Sequence, residues 1–186
     1  MSSAQRSPLR YFISDGRGSV VREVERLRDS VHFIQIRELD LSARELAAVT
    51  RAVLKVAHPS VRVLVNDRAD IAIACGAHGV HLRSRAPAPW RLRQILPAGF
   101  LISVACHSVA GVVLAEREGA DIALLAPVFE TPGKGPPIGL VELERAARNA
   151  RNPVLALGGV TPADIPRCLS AGAAGVAGIR LFQPAP

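Results

Sequence analysis

The sequence contains few aromatic residues, and this shortage argues against nucleic-acid binding. Aromatic residues make up 4% of the 186 residues, and there is a single Trp. The 23 Lys and Arg against 16 Asp and Glu give a net charge of +7. The longest basic cluster, Arg83, Arg85, Arg91 and Arg93, is diluted by Pro and Ala, and Trp90 is its single residue able to stack a base. We therefore expect no nucleic-acid partner, and we expect an electropositive surface that attracts anionic metabolites.

Cysteines and long apolar segments are also scarce. The three cysteines, Cys75, Cys106 and Cys168, form no C-x-x-C pair, so we expect neither a zinc site nor a disulfide framework. No stretch approaches the ~20 apolar residues that span a bilayer. Residues 1–10 also lack the apolar segment of a signal peptide. These absences predict a cytoplasmic protein without a membrane partner.

Short apolar runs alternate with stretches of helical spacing, a pattern typical of an α/β protein. The runs are too apolar for half-exposed strands, which indicates parallel strands buried on both faces. The predicted strands are Tyr11–Ser14, Phe33–Ile36, Arg62–Val65, Gly79–His81, Leu101–Val104, Ile122–Leu125, Pro153–Ala156 and Gly175–Ile179. The predicted helices include Ser42–Val56, Ser108–Glu118, Val141–Ala150 and Thr161–Ala171.

Eight parallel strands are the number that closes a barrel. We therefore predict one (β/α)₈ TIM-barrel domain over residues 1–186, with residues 1–10 as a flexible N-terminal tail. An open doubly wound sheet is the alternative. Only Leu181–Pro186 follow the eighth strand, so the last helix is expected to be missing or truncated. A second subunit would cover that flank, which predicts a homo-oligomer, most simply a dimer.

Glycines near the end of the chain indicate a phosphate site. In "PVLALGGVTP" an apolar strand runs into Gly158 and Gly159, and glycines let backbone N–H groups approach an anion. The eighth strand ends in "VAGIR", with Gly178, Ile179 and Arg180. The loops after strands seven and eight are the usual phosphate site of a TIM barrel. A tight turn that only connects strand to helix is the alternative.

Polar residues at the ends of strands two and three are candidates for a second binding region. Gln35 and Arg37 lie two residues apart, and Arg37 needs an anionic partner because an unpaired buried charge is costly. Asn66 and Asp67 follow strand three. Asp67 is a candidate Mg²⁺ ligand, or alternatively the cap of the next helix.

Strands five and six supply the remaining candidates. His107 is the general acid/base candidate, because histidine exchanges protons near neutral pH. Its alternative role is to order the loop. The segment 126–139 is long enough to act as an active-site lid, and Thr131 and Lys134 are its candidate anion ligands.

The chain resembles the thiamin-phosphate synthase/TenI superfamily over nearly its whole length. The matching segments are "FIQIRELDLS", "VLVNDRADIAIACGAHGVHL", "ACHS", "EREGADIALLAPVFETPGK" and "LALGGVTPADIPRCLSAGAAGVAGI". The resemblance implies a (β/α)₈ barrel, usually oligomeric, that binds a thiazole phosphate. The positions that match the synthase pattern are Gln35, Arg37, Asn66, Asp67, Thr131, Lys134 and Gly159.

The chain departs from the synthase pattern at four positions. Leu39 replaces a lysine, Ala86 falls near the second metal-binding Asp, Ala105 replaces a serine and Gly133 replaces a threonine. Loss of a lysine and a metal carboxylate removes charge that the departure of diphosphate requires.

The resemblance leaves three functions open. The sequence slightly favours a TenI-like thiazole tautomerase without a cofactor, in which His107 moves the proton and Arg37 holds a carboxylate. The first alternative is a divergent Mg²⁺-dependent synthase that couples a pyrimidine diphosphate to the thiazole phosphate. The second is a regulatory barrel that binds thiazole phosphate without catalysis.

Overall fold

The computed structural model describes residues 7–17, 19–84 and 86–183, which form a closed barrel of eight parallel strands in chain order. Pairing of β1 with β8 closes the barrel and excludes the open sheet. The strands are β1 Leu9–Ile13, β2 Phe33–Ile36, β3 Arg62–Asn66, β4 Gly79–Leu82, β5 Leu101–Cys106, β6 Ile122–Leu125, β7 Val154–Ala156 and β8 Gly175–Gly178. The predicted TIM-barrel fold is confirmed.

Seven α-helices lie on the outside of the barrel in the described ranges. They are α1 Val20–Leu27, α2 Ala43–Val56, α3 Ala69–Cys75, α4 Pro89–Arg93, α5 Val109–Arg117, α6 Gly139–Asn149 and α7 Ile165–Ser170, the last preceded by a 3₁₀ turn at Pro162–Asp164. None of these helices is long and apolar enough to cross a membrane. After β8 the chain forms turns rather than a helix through residue 183.

The start of the barrel differs from the prediction. β1 begins at Leu9, so Leu9 and Arg10 belong to the barrel and not to the predicted tail, whose residues 1–6 lie outside the described ranges. Leu9 pairs with Gly175 of β8, so the strand begins two residues before its predicted start at Tyr11. β5 extends two residues beyond its predicted end, to Cys106.

Side-chain caps fix the starts of α2 and α5. Ser42 and Glu45 form a reciprocal capping box before α2: the Ser42 hydroxyl accepts from the Glu45 N–H at 3.4 Å, and the Glu45 carboxylate accepts from the Ser42 N–H at 2.9 Å. Ser108 accepts from the Gly111 N–H at 3.0 Å before α5. These caps place the βα loops that frame the carboxyl end of the barrel.

The protein has two apolar clusters, one outside the sheet and one inside it. The larger cluster packs alternate strand residues, such as Ile34, Val63 and Ile102, against the helices. The smaller cluster fills the barrel interior with Tyr11, Ile13, Ile122, Leu124, Leu155 and Ala177. Because the interior cluster comes from β1 and β6–β8, the half of the interior lined by β2–β5 is left for polar side chains.

Phe182 covers part of the barrel flank that follows β8. Its side chain is buried, its carbonyl accepts from Arg26 Nη2 at 2.6 Å, and the Arg10 guanidinium lies 5.2 Å from its ring centroid. These contacts hold the segment after β8 against Arg10 of β1 and Arg26 of α1. The predicted homo-oligomer stays a prediction.

Candidate active site

A row of buried polar side chains crosses the barrel interior from β2 to β5. Gln35 of β2 donates from Nε2 to Asn66 Oδ1 of β3 at 2.9 Å. The Gln35 Oε1 atom is buried and has no partner among the described residues. An unpaired buried acceptor is costly, so this atom is suited to accept a hydrogen bond from a ligand.

His81, Ser103 and Tyr11 form a second buried chain beneath the same half of the barrel. Ser103 Oγ lies 2.8 Å from His81 Nδ1 and 2.9 Å from the Tyr11 hydroxyl. Burial lowers the pKa of His81 to about 4, an effect that Asp67 opposes and that Arg37 and Arg83 reinforce. His81 is therefore neutral at physiological pH, and its hydrogen bond to Ser103 gives it a structural role inside the barrel.

Arg37 lies directly beyond the end of β2 and is half-buried at the carboxyl end of the barrel, which we call the barrel mouth. Its backbone N–H donates to Ser14 Oγ at 2.8 Å, and Ser14 Oγ–H donates to Glu38 Oε1 at 2.6 Å. Its guanidinium forms no ion pair within the described residues. Arg37 therefore lies in the loop that follows β2, and its side chain is available to an anion.

Asp67 binds Arg83 across the loops that follow β3 and β4. Asp67 Oδ1 accepts from the Arg83 N–H at 3.0 Å, and Asp67 Oδ2 forms an ion pair with Arg83 Nε. The helix cap that we considered for Asp67 is absent, because α3 begins after Arg68 without a side-chain cap. No group of three or more His, Cys, Asp or Glu residues suited to a metal occurs in the described part of the chain.

A cleft of about 190 Å³ adjoins this ion pair. Leu39 and Leu41 form its apolar side, and Asp67, Arg68 and Arg83 form its charged side. We refer to Arg37, Asp67, Arg68 and Arg83 together as the β2–β4 rim. Arg83 was not among the predicted site residues, although the segment "HLRSRAPAP" places arginines directly after β4.

His107 lies just beyond β5 and is exposed. Its Nδ1 lies 2.7 Å from the carbonyl oxygen of Ala126, and a carbonyl only accepts, so Nδ1 carries the proton. In the neutral ring Nε2 is then the free basic nitrogen. Burial raises the pKa of the neighbouring Cys106 thiol to about 12, which rules out an activated Cys–His pair.

The loop after β6 packs firmly against the loop after β7. Val128 N–H donates to Leu157 O at 2.8 Å, and Phe129 N–H donates to Gly158 O at 3.0 Å. A Cβ at Gly159 would lie 2.3 Å from Glu130 O, so this contact requires glycine. The first half of the predicted lid is thus anchored, with Thr131 hydrogen-bonded to Phe129 O at 3.0 Å and Lys134 exposed farther along.

Backbone N–H groups cluster where β7 and β8 end. The N–H groups of Gly158, Gly159 and Val160, and those of Ile179 and Arg180, have no acceptor among the described residues. Gly158 and Gly159 have φ values of +90° and +65°, a pair of left-handed residues that turns successive N–H groups to one side. We call these five residues, with Gly178, the β7–β8 rim. Its geometry suits an anion such as phosphate.

The first turn after this rim is capped from within the chain. Thr161 N–H and Oγ–H both donate to Asp164 Oδ2, at 3.1 and 2.6 Å. Because Asp164 takes up these donors, the anion donors of this loop are the N–H groups of residues 158–160 and not the start of α7.

A larger groove, of about 440 Å³, lies between α6 and α7 on the outer surface. Leu140, Val141, Pro166 and Arg167 are among its lining residues. It is separate from the strand ends, where the polar residues converge. Chemistry in TIM barrels takes place at the carboxyl ends of the strands, so the mouth is the candidate active site.

Comparison with known proteins identifies the family. The family described as thiamine monophosphate synthase matches residues 10–182. The chain belongs to this family. A Geobacter sulfurreducens protein provisionally named a thiamine-phosphate synthase is 40% identical over 90% of this chain and 83% of its own length. The thiamine-phosphate synthase of Methanoculleus marisnigri is 38% identical, with the same shares covered.

A solved structure agrees with these relatives. Thiamine phosphate pyrophosphorylase from Pyrococcus furiosus superposes with a TM-score of 0.84 at 28% identity, over 92% of this chain and 85% of that one. The predicted membership of this superfamily is confirmed. The names of the relatives favour the synthase interpretation over the tautomerase that the sequence slightly favoured.

Proposed function

We propose that this protein is a transferase that couples a pyrimidine diphosphate to a thiazole phosphate and releases pyrophosphate. The observation that carries the proposal is that two separate sets of anion donors lie at one barrel mouth: the N–H groups of the β7–β8 rim and the guanidinium groups of the β2–β4 rim. A synthase needs two such regions, because both of its substrates are phosphorylated. The names of the relatives favour the same reaction.

The β7–β8 rim is assigned to the phosphate of the thiazole substrate. Its free backbone N–H groups bind an oxyanion regardless of pH, since a peptide N–H does not titrate in the physiological range. Gly158, Gly159, Gly178, Ile179 and Arg180 are the residues assigned to this site.

The β2–β4 rim and the β6 loop are assigned to the diphosphate of the pyrimidine substrate. Arg37 and Lys134 supply positive charge, and Thr131 supplies a hydroxyl. Breaking the carbon–oxygen bond to diphosphate leaves the electron pair on the departing pyrophosphate, and nearby cations stabilise that charge in the transition state. Gln35 and Asn66 lie at the floor of the mouth, where the free Gln35 Oε1 accepts a hydrogen bond from the heterocycle.

Thiazole tautomerisation is the second candidate, and the geometry of His107 favours it. With Nδ1–H held by Ala126 O, Nε2 is free to take a proton from a substrate carbon and return it elsewhere on the ring. That reaction uses one phosphate site, Arg37 as a carboxylate clamp and no cofactor.

Product analysis separates the two reactions. The protein is given both synthase substrates, or the thiazole carboxylate phosphate tautomer alone, and thiamine phosphate or the aromatised thiazole is measured by chromatography. We expect thiamine phosphate from the substrate pair. In His107→Gln we expect that synthesis to fall less than tenfold, whereas loss of a general base lowers a rate by about 10²- to 10⁴-fold.

Two outcomes would contradict the proposal. One is the absence of thiamine phosphate from a folded protein that binds thiazole phosphate. The other is rapid aromatisation that His107→Gln abolishes, which would establish the tautomerase.

A further inference from the structure

Both carboxylate oxygens of Asp67 are occupied by groups of this chain. Oδ1 accepts from the Arg83 backbone N–H at 3.0 Å. Oδ2 pairs with Arg83 Nε and accepts from Asn66 Nδ2 at 3.3 Å. Asp67 itself has φ +54°, an uncommon value for a residue with a side chain, and its N–H donates to His81 O at 2.8 Å. The backbone therefore holds this carboxylate toward Arg83.

The donor set at this place does not fit a divalent cation. Mg²⁺ is usually held by one or two carboxylates with substrate phosphates, and it requires oxygen atoms that are free to coordinate it. Both oxygens of Asp67 already accept hydrogen bonds from this chain, so a cation would have to compete with Arg83 for them. Ala86 falls near the second metal-binding carboxylate of the synthase pattern, which leaves one carboxylate at this place. The described residues offer no alternative cluster of metal ligands.

Arg83 carries the features that an anion receptor needs. Its Nε is bound to Asp67, while its Nη1 and Nη2 have no partner among the described residues and its side chain is 63% exposed. A guanidinium held along one edge presents its remaining N–H groups in a fixed plane, which matches two oxygens of a phosphate. The cleft beside it, lined also by Arg68 and Leu39, gives the anion space.

The exchange of metal for arginine conserves the local charge. A divalent cation on two carboxylates has a net charge of zero, and so does one guanidinium on one carboxylate. Leu39 removes one further positive charge, that of the synthase lysine, and the cations that line the cleft beside Leu39 are Arg68 and Arg83.

We propose that the Arg83 guanidinium, fixed by Asp67, takes the place of a divalent cation and binds the diphosphate group without metal. The identity of the diphosphate rests on the proposed synthase function. Metal-independent binding of the anion by Arg83 does not rest on it.

Calorimetric titration with inorganic pyrophosphate tests the inference without turnover. We expect binding in EDTA at least as tight as in Mg²⁺. Arg83→Gln should weaken it about tenfold, since one charge-assisted bidentate contact is lost. Arg83→Lys should weaken it by less, because it keeps the charge and loses the planar fork. Arg145→Gln is the matched control: Arg145 pairs with Glu142 at 2.7 Å on α6, and its loss should change affinity less than about twofold.

The inference would be overturned by pyrophosphate binding that needs Mg²⁺, or by equal affinities for Arg83→Gln and Arg145→Gln. Unfolding curves of each variant show whether the fold is retained, and Arg83→Lys replaces Arg83→Gln if the latter is unfolded. Thiamine phosphate synthesis that requires Mg²⁺ would refute the inference and support the function. Metal-free pyrophosphate binding without synthesis would support the inference and refute the function.

Discussion

The two rims of the barrel mouth differ in the part of the chain that supplies their polar groups. The β7–β8 rim consists of backbone N–H groups turned to one side by glycines, and its shape is fixed by packing against the β6 loop. The β2–β4 rim consists of side chains, and Asp67 and Arg83 fix each other there. Stability and binding should therefore be coupled at the first rim and separable at the second.

Substitution of Gly159 should give the largest loss of stability. This residue packs against the β6 loop, and it also has a left-handed backbone conformation at the β7–β8 rim. An added Cβ would lie 2.3 Å from Glu130 O and 2.8 Å from Phe129 Cβ, at a φ of +65°. We expect Gly159→Ala to lower the free energy of unfolding by about 3 kcal/mol, through strain and overpacking. Chemical denaturation monitored by circular dichroism measures this loss.

Gly135→Ala is the control for Gly159→Ala. Gly135 lies in the loop after β6, has nothing within 4 Å of an added Cβ, and is not among the glycines with positive φ. Its substitution should change stability by less than about 0.5 kcal/mol. Equal losses for the two variants would show that the close contact of Gly159 with the β6 loop does not contribute to stability.

Protonation of His81, which lies beneath the β2–β4 rim, should give the next loss of stability. The pKa of His81 is about 4 in the barrel against an ordinary 6.5, chiefly because of burial. Between these values the unfolded chain binds the proton and the folded barrel does not. The contribution of neutral His81 is therefore complete above pH 6.5 and is lost as the pH falls toward 4, by about 3 kcal/mol in all.

Unfolding measured between pH 7 and pH 4.5 tests this dependence. His81→Gln should flatten the fall in stability over that range, whereas His58→Gln, which alters an exposed histidine, should keep it. A wild-type pH dependence in His81→Gln would show that another group is responsible.

The sequence predicts the backbone rim better than the side-chain rim, for a physical reason. Apolar runs mark each strand because both strand faces are buried, and Gly158 and Gly159 mark a turn by their conformational freedom alone. Both signals are local in the chain. The contacts of the other rim are not local: Asp67 meets Arg83 16 residues away, and Tyr11 meets Ser103 92 residues away. Such pairs depend on strand register, so the sequence supplies the candidates without their partners.

Substitution of Arg37 should give the smallest change in stability. It tests whether a residue of the β2–β4 rim contributes to binding without contributing to stability. The Arg37 guanidinium forms no ion pair within the described residues, and its backbone N–H, which a substitution leaves unchanged, carries the hydrogen bond to Ser14. Arg37→Gln should therefore change the free energy of unfolding by less than about 0.5 kcal/mol. It should still weaken pyrophosphate binding about tenfold, or about 1.4 kcal/mol, since one cation facing the anion is lost. Calorimetry and denaturation on the same preparation measure both quantities. A stability loss as large as that of Gly159→Ala would show that Arg37 supports the fold, and the contrast between the two rims would then fail.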